Sequence, residues 1–304
     1  MLFRFFGFTL LLALASCSSY APQYWGAPQP FVEQARATLP TRVELTEVPF
    51  VAQDDWYCGP AALSMVLQYA GASAGFAEVS PKLLVPGREG SLQLEMMAAT
   101  RTFGRVPQVI EPTLQALLAE LAAGRPVIAL ENFGNDWYPI WHYSVVVGYD
   151  LDKREVYRRS GLRKRVAVPM PIFEHVWMHE GYWAMVVLAP DDTPSKPKPT
   201  AWREQLALTE PFIDAPTAQR AWRNYLASFP DDTIGLAGLG NSLHAQGDWQ
   251  GAAQKYKQAL QQAPTNTRLA RLAQQVFAQA QDTTAAACAA KIEQQGASWP
   301  CTAP

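Results

Sequence analysis

Four histidines and four cysteines bound the thiol and imidazole chemistry open to this chain. Cys58 stands in "VPFVAQDDWYCGPAALSMVL", where an extended apolar run passes into a helix-like one. A thiol attacks as its thiolate, and a helix N-terminus or a nearby imidazole lowers its pKa. Gly59 permits close approach, Pro60 suits a first helical turn, and Ala62, Leu63, Val66 and Leu67 form the apolar face that would bury the helix. Gln53, just upstream, can donate an amide hydrogen to an oxyanion. The base must come from His142, His175, His179 or His244. His244 falls in a helical region and is expected to face solvent. His175 and His179 sit in "EHVWMHE", whose order is not the H-E-x-x-H of metalloproteases, so no metal site is expected there. His142 opens "WHYSVVVGYD" directly after a turn-rich loop, where a rigid sheet can project an imidazole into a cleft. A buried structural thiol is the competing reading of Cys58.

The other cysteines sort by position. Arg4, the apolar run "FFGFTLLLALA" and the small residues before Cys17 read as a targeting segment. Leu14-Ala15-Ser16-Cys17 resembles a bacterial lipoprotein signal, which implies cleavage before Cys17 and lipid on its thiol. Ser18, in place of Asp, then favours the periplasmic face of the outer membrane. The run is short for a span and no other apolar run is long enough for one. Cys288 and Cys301 lie close together in a chain bound for a disulfide-permissive compartment, so a bridge between them is expected. Cys58 is left over, and an odd cysteine in an exported protein is reactive or deeply buried.

A formal net charge of −2 argues against a general nucleic-acid binder. No phosphate-binding glycine motif appears, and no cofactor is expected. The basic run Lys153–Arg165 reads as a solvated hairpin, with attraction to an anionic surface as the alternative.

The chain divides into a signal peptide (1–16), a Pro-rich tether (17–40), a first domain (41–189), a Pro-rich linker (190–205) and a helical region (206–304). In the first domain the spacing predicts a strand in "RVELTEVPFV". It then predicts helices in "GPAALSMVLQYAG", in "GSLQLEMMAATRTFG" with Ser91 as cap, and in "EPTLQALLAELAAG" with Pro112 in the first turn. "RPVIALENFG", "HYSVVVGYD", "EVYRRSG", "RKRVAVPM" and "YWAMVVLAP" read as an antiparallel sheet. Helices followed by a sheet make an α+β domain. Beyond the linker, Pro230 and Pro264 end two helix-like runs at a repeat spacing. Leu239-Gly240, Gly247, Ala252, Tyr256, Ala259 and Pro264 resemble a tetratricopeptide repeat, with Ala218, Trp222 and Pro230 as the end of a preceding unit and 267–295 as a degenerate third unit or a capping helix. The alternative is a generic helical hairpin.

Gln53, Cys58-Gly59, the G-S-L-x-x-E-M helix and "GRPVIAL" followed by "HYSVVVGYD" resemble the thirty-ninth cysteine-peptidase family. These are papain-like enzymes known for trimming double-glycine leaders from bacteriocins. The resemblance covers about 45–188 and implies a papain-like α+β domain acting on a protein or peptide. It makes Cys58 the nucleophile, His142 the general base and Gln53 the oxyanion donor. The family's Asp, which orients the imidazole, is absent. Ser160 in "EVYRRSGLRKR" occupies that region, and a hydroxyl stabilises an imidazolium less than a carboxylate does. The reading is an envelope-anchored cysteine peptidase with a repeat tail that can bind a protein partner. A non-catalytic adaptor and a thiol acyltransferase are the alternatives.

Overall fold

The computed structural model describes residues 28–53, 55–84 and 90–301. The signal segment and Cys17 lie outside the described residues.

The first described element is helix α1 (Pro28–Thr38), in the second half of the expected tether. It is no spacer there, because Phe31, Val32 and Ala35 are buried in the core. A three-residue strand, β1 (Arg42–Glu44), is all of "RVELTEVPFV" that joins a sheet. Helices α2 (Cys58–Tyr69), α3 (Phe76–Val79) and α4 (Gln93–Thr102) follow. The cap of α4 is Leu92, not Ser91, and the Glu95 carboxylate accepts the Leu92 N–H at 3.0 Å. Strand β2 (Val106–Val109) interrupts the helical half before α5 (Leu114–Ala122). Thr113 caps α5 by accepting the Ala116 N–H, so Pro112 lies outside the first turn.

Strands β3 (Val127–Asn132), β4 (Trp141–Asp150), β5 (Glu155–Ser160) and β6 (Arg163–Pro169) form a meander. Helix α6 (Met170–Met178) and strand β7 (Ala184–Leu188) complete the domain. All pairings are antiparallel, in the order β2-β7-β3-β4-β5-β6, with β1 on the end of β4. Alternate residues of a strand point to opposite faces. Ile128, Leu130, Val145, Val147, Met185 and Val187 therefore meet α2 and α4 on one side. Val127, Ala129, Val146, Val186 and Leu188 meet α1, α5 and α6 on the other. Both faces are covered, which is why these strands read as nearly continuous apolar runs.

The expected linker is cut short at its C-terminal end by helix α7 (Pro199–Thr209). What remains is fastened to the domain. Glu111 pairs with Lys196 at 3.2 Å and Lys198 at 3.1 Å, and the Ser195 N–H donates to Glu120 at 3.3 Å. Helix α7 packs on β2, and Arg101 of α4 donates to Gln205 at 2.6 Å. Trp202 and Leu206 belong to the same buried cluster as Val106 and Leu188. The two units thus share a core.

Helices α8 (Ala215–Ser228), α9 (Thr233–Ala245), α10 (Trp249–Gln262), α11 (Thr267–Gln279) and α12 (Thr283–Gln295) form successive hairpins. Each opens on an Asp or Asn whose carboxylate or amide oxygen accepts an amide of the first turn: Asp214, Asp232, Asp248, Asn266 and Asp282. A bond joins Cys288 to Cys301 and pins the tail to α12. Among the described residues no helix is long and apolar enough to cross a membrane.

Gly238 shows how tightly α8 and α9 approach. A Cβ there would come within 2.4 Å of the Trp222 ring, which is itself buried. Alanine gains up to about 1 kcal/mol of helix propensity over glycine. Overpacking costs more, about 1–3 kcal/mol. Gly238→Ala is therefore expected to lower the thermal midpoint, read by circular dichroism; a raised midpoint would show that the hairpin yields without strain.

Candidate active site

Cys58 is the first residue of α2, whose residues through Leu67 are all buried. Burial of the whole first turn fixes the thiol at the positive end of the helix dipole, where a thiolate is favoured. The N-cap residue, Tyr57, makes no side-chain capping bond. Gly59 must be small, because a Cβ there would meet the Ser91 Oγ at 2.6 Å. Tyr143 of β4 donates its hydroxyl to the Ser91 carbonyl at 3.2 Å. Burial holds the Tyr143 phenol well above its ordinary pKa, with the charges of Cys58, Glu95 and Glu180 acting in the same direction. That tyrosine therefore stays a neutral donor beside the thiol.

His142 is the second residue of β4, and its Nε2 lies 2.9 Å from the Ser160 Oγ. The two residues lie far apart along the chain, and the β4–β5 hairpin joins them. Val145 pairs with Arg159, so Ser160 falls level with Ser144, two residues along β4 from His142. Gln53 is 8% exposed, and its backbone N–H donates to the Gly161 carbonyl at 3.4 Å, next to Ser160. Its side-chain Oε1 is buried with no hydrogen-bond partner among the described residues. Gln53 and His142 thus converge on the β5–β6 turn.

Sequence reasoning passed over the residues that hold this end of the sheet. Cross-strand partners share a face. Glu131 is partner to His142, Ala129 to Ser144, and Val146 to Arg158. Glu131 on β3 and Arg158 on β5 form an ion pair that straddles β4, and the Ser144 hydroxyl donates to the same carboxylate. The small Ser144 leaves room for that crossing beside His142. Burial pulls the Arg158 guanidinium down to about 10, with the Arg163 charge acting in the same direction, and the Glu131 carboxylate is its ion-pair partner. Arg159 points to the other face. Its guanidinium donates to the Thr46 carbonyl at 3.1 Å, to that of Val48, and to Lys164 at 2.9 Å, and so ties the segment leading to Gln53 onto the sheet. Arg165 pairs with Glu44. The basic run is therefore only in part a solvated hairpin. A charged residue inside an otherwise apolar strand, as in "VIALEN", was the available signal for Glu131.

Exposed apolar side chains flank the site residues along the chain. Trp137, Tyr138, Ile140 and Trp141 lie on or beside the loop before His142, and Trp56, Tyr57, Leu92 and Leu94 lie next to Cys58 and Ser91 along the chain. The loop is ordered by Asn132, whose Oδ1 accepts the Gly134 and Ile140 N–H groups at 2.9 and 3.0 Å. The Trp141 indole donates to Glu180 at 2.9 Å. His175 and His179 stack edge to face, and His179 meets Asp136 at 3.3 Å. Among the described residues no cluster of three His, Cys, Asp or Glu side chains could hold a metal ion. His244 contacts Gln279 and the Trp249 ring in the helical region.

An antiparallel sheet covered on one face by a helix that begins with cysteine makes this an α+β domain. Residues 45–185 match the Peptidase_C39 like family. Several solved structures are similar. One is a C39-like peptidase from Bacillus anthracis, at 21% identity over 49% of this chain and 98% of that one, with a TM-score of 0.42. Another is a double glycine motif protease from an AMS/PCAT transporter in complex with its leader peptide, at 25% identity over 47% and 91%, with a TM-score of 0.36. A third is the peptidase domain of Streptococcus ComA, a bifunctional ABC transporter of a quorum sensing pathway, at 17% identity over 47% and 98%, with a TM-score of 0.39. No curated protein matches the chain.

Removing one partner of a buried ion pair strands the other charge, at a cost of about 3–5 kcal/mol, whereas replacing both by apolar groups is often neutral. Arg158→Met is therefore expected to lower the urea midpoint sharply. Adding Glu131→Leu should recover most of the loss. A double variant no better than the single one would mean that the pair itself, and not the stranded carboxylate, sets the cost.

Proposed function

We propose that this protein is a cysteine peptidase that cleaves peptide bonds through Cys58 and His142. The observation that carries the reading is the Ser160–His142 contact at 2.9 Å, set where the family's orienting Asp is expected. In this mechanism the Ser160 Oγ accepts a hydrogen bond from the His142 Nε2–H, which leaves Nδ1 to take the proton of the Cys58 thiol. The Cys58 thiolate attacks the scissile carbonyl carbon, and the Gln53 amide and the Cys58 N–H hold the oxyanion. The imidazolium gives its proton to the leaving amine as the C–N bond breaks. Water, deprotonated by His142, then attacks the thioester, and the thiolate is regenerated.

The substrate is a protein or peptide, and the exposed apolar side chains flanking the site residues suit apolar side chains near the scissile bond. The N-terminal motif supports attachment by lipid on Cys17 at the periplasmic face of the outer membrane. The helical tail resembles a tetratricopeptide array and offers a surface for a protein partner. A non-catalytic adaptor is the second reading, favoured by the hydroxyl that stands in place of a carboxylate.

Full-length protein should be labelled at Cys58 by thiol-directed acylating probes and should hydrolyse peptides. Cys58→Ala should abolish both, and a wild type never labelled at Cys58 sinks the enzyme reading. Ser160→Ala is expected to lower kcat about tenfold, the worth of one neutral hydrogen bond. Ser160→Asp should raise kcat by restoring a carboxylate. Unchanged rates in both would remove Ser160 from the mechanism.

A further inference from the structure

Phe133 follows the last residue of β3 and is 42% exposed. Its ring stacks on the His142 imidazole, with centroids 5.4 Å apart and planes 30° from parallel. The Arg158 guanidinium carbon lies 5.1 Å from the centre of the same ring. The backbone of Phe133 is held in place, since its N–H donates to the Ile140 carbonyl at 2.9 Å and Asn132 braces the residues on either side of that bond. The contact is therefore built by the β3–β4 corner.

A histidine ring turns over a broad range about its second side-chain torsion. The Ser160 bond fixes one edge of His142, and a neutral hydroxyl does this less firmly than a charged carboxylate. An aromatic face lying along the ring restricts the remaining rotation. It also attracts the imidazolium that forms when the thiol loses its proton, by about 0.5–1 kcal/mol at a partly exposed site. The Arg158 cation would compete for the ring if it stood alone, but its charge is met by Glu131.

We propose that Phe133 is a positioning residue for His142: its ring, held by the corner and flanked by the neutralised Arg158–Glu131 pair, supplies part of the orientation that the family's Asp would give. This rests on the cysteine-peptidase reading above.

The test uses full-length wild type, Phe133→Leu, Phe133→Tyr and Phe133→Trp, with two readouts: steady-state peptide cleavage and the rate of Cys58 alkylation by iodoacetamide at pH 7. Misplacing a catalytic group by about 1 Å can cost up to roughly a hundredfold. Phe133→Leu should therefore lower kcat by about tenfold or more while KM stays within about twofold, since no substrate contact is lost. Cys58 alkylation should slow in the same variant, and Tyr and Trp should restore both rates. The inference is overturned if Phe133→Leu matches wild type in both readouts, if KM rises in step with the loss of kcat/KM, or if the aromatic variants fail to rescue. A wild type whose Cys58 alkylates no faster than a free thiol at pH 7 overturns the peptidase reading, and this inference with it. A fast-alkylating wild type with an equally fast Phe133→Leu overturns this inference alone.

Discussion

The register of β4 is the constraint on which the rest of the domain depends. This strand pairs with β3, β5 and β1, and its residues alternate between the two cores of the sheet. A slip of one residue would carry Val146 into the core that Val145 and Val147 now fill, and would turn His142 to the opposite face. The same slip would part Glu131 from Arg158, since the two meet only because Ser144 stands between them. Folding energy and site geometry are therefore coupled through one strand. The buried cores that fix the register also fix the imidazole.

The thiol is placed by a different rule. Helix α2 is buried along nearly its whole length, which leaves its first residue no freedom to move relative to the sheet. The segment before it is held less by burial than by polar ties, with Arg159 gathering the Thr46 and Val48 carbonyls and Gln53 meeting Gly161. Cys58, Gln53 and His142 are thus each held by a different means: a packed helix, a tethered approach segment and a registered strand.

Much of this architecture was legible in the sequence. Strands β3 to β7 and helices α2, α4 and α5 stand where apolar runs and glycines put them. The thiol at the start of α2 was legible in the residues themselves, and Ser160 only through the family resemblance. The misses share a cause. Glu131, Arg158 and Phe133 act through partners on other strands, and their pattern looks local only once the register is known. Ser91 looked like a cap, yet its side chain packs against Gly59, and Glu95 bonds the true cap residue. Residues 28–38 looked like spacer because prolines and polar residues mask the few apolar positions that a helix gathers onto one face. The Asp and Asn caps of the helical tail were a plain periodic signal: Asp214, Asp248 and Asp282 stand 34 residues apart.

The fastened segment between the two units has a bearing on encounter. A flexible spacer would let the helices sample many distances from Cys58, and the local concentration of anything they hold would be an average over those distances. Here Glu111, Glu120 and the buried Trp202 remove that averaging. A chain gripped by the tail would be offered to the peptidase domain at one reach and one angle. Length along the captured chain, and not side-chain identity alone, would then decide which bond arrives at the thiol.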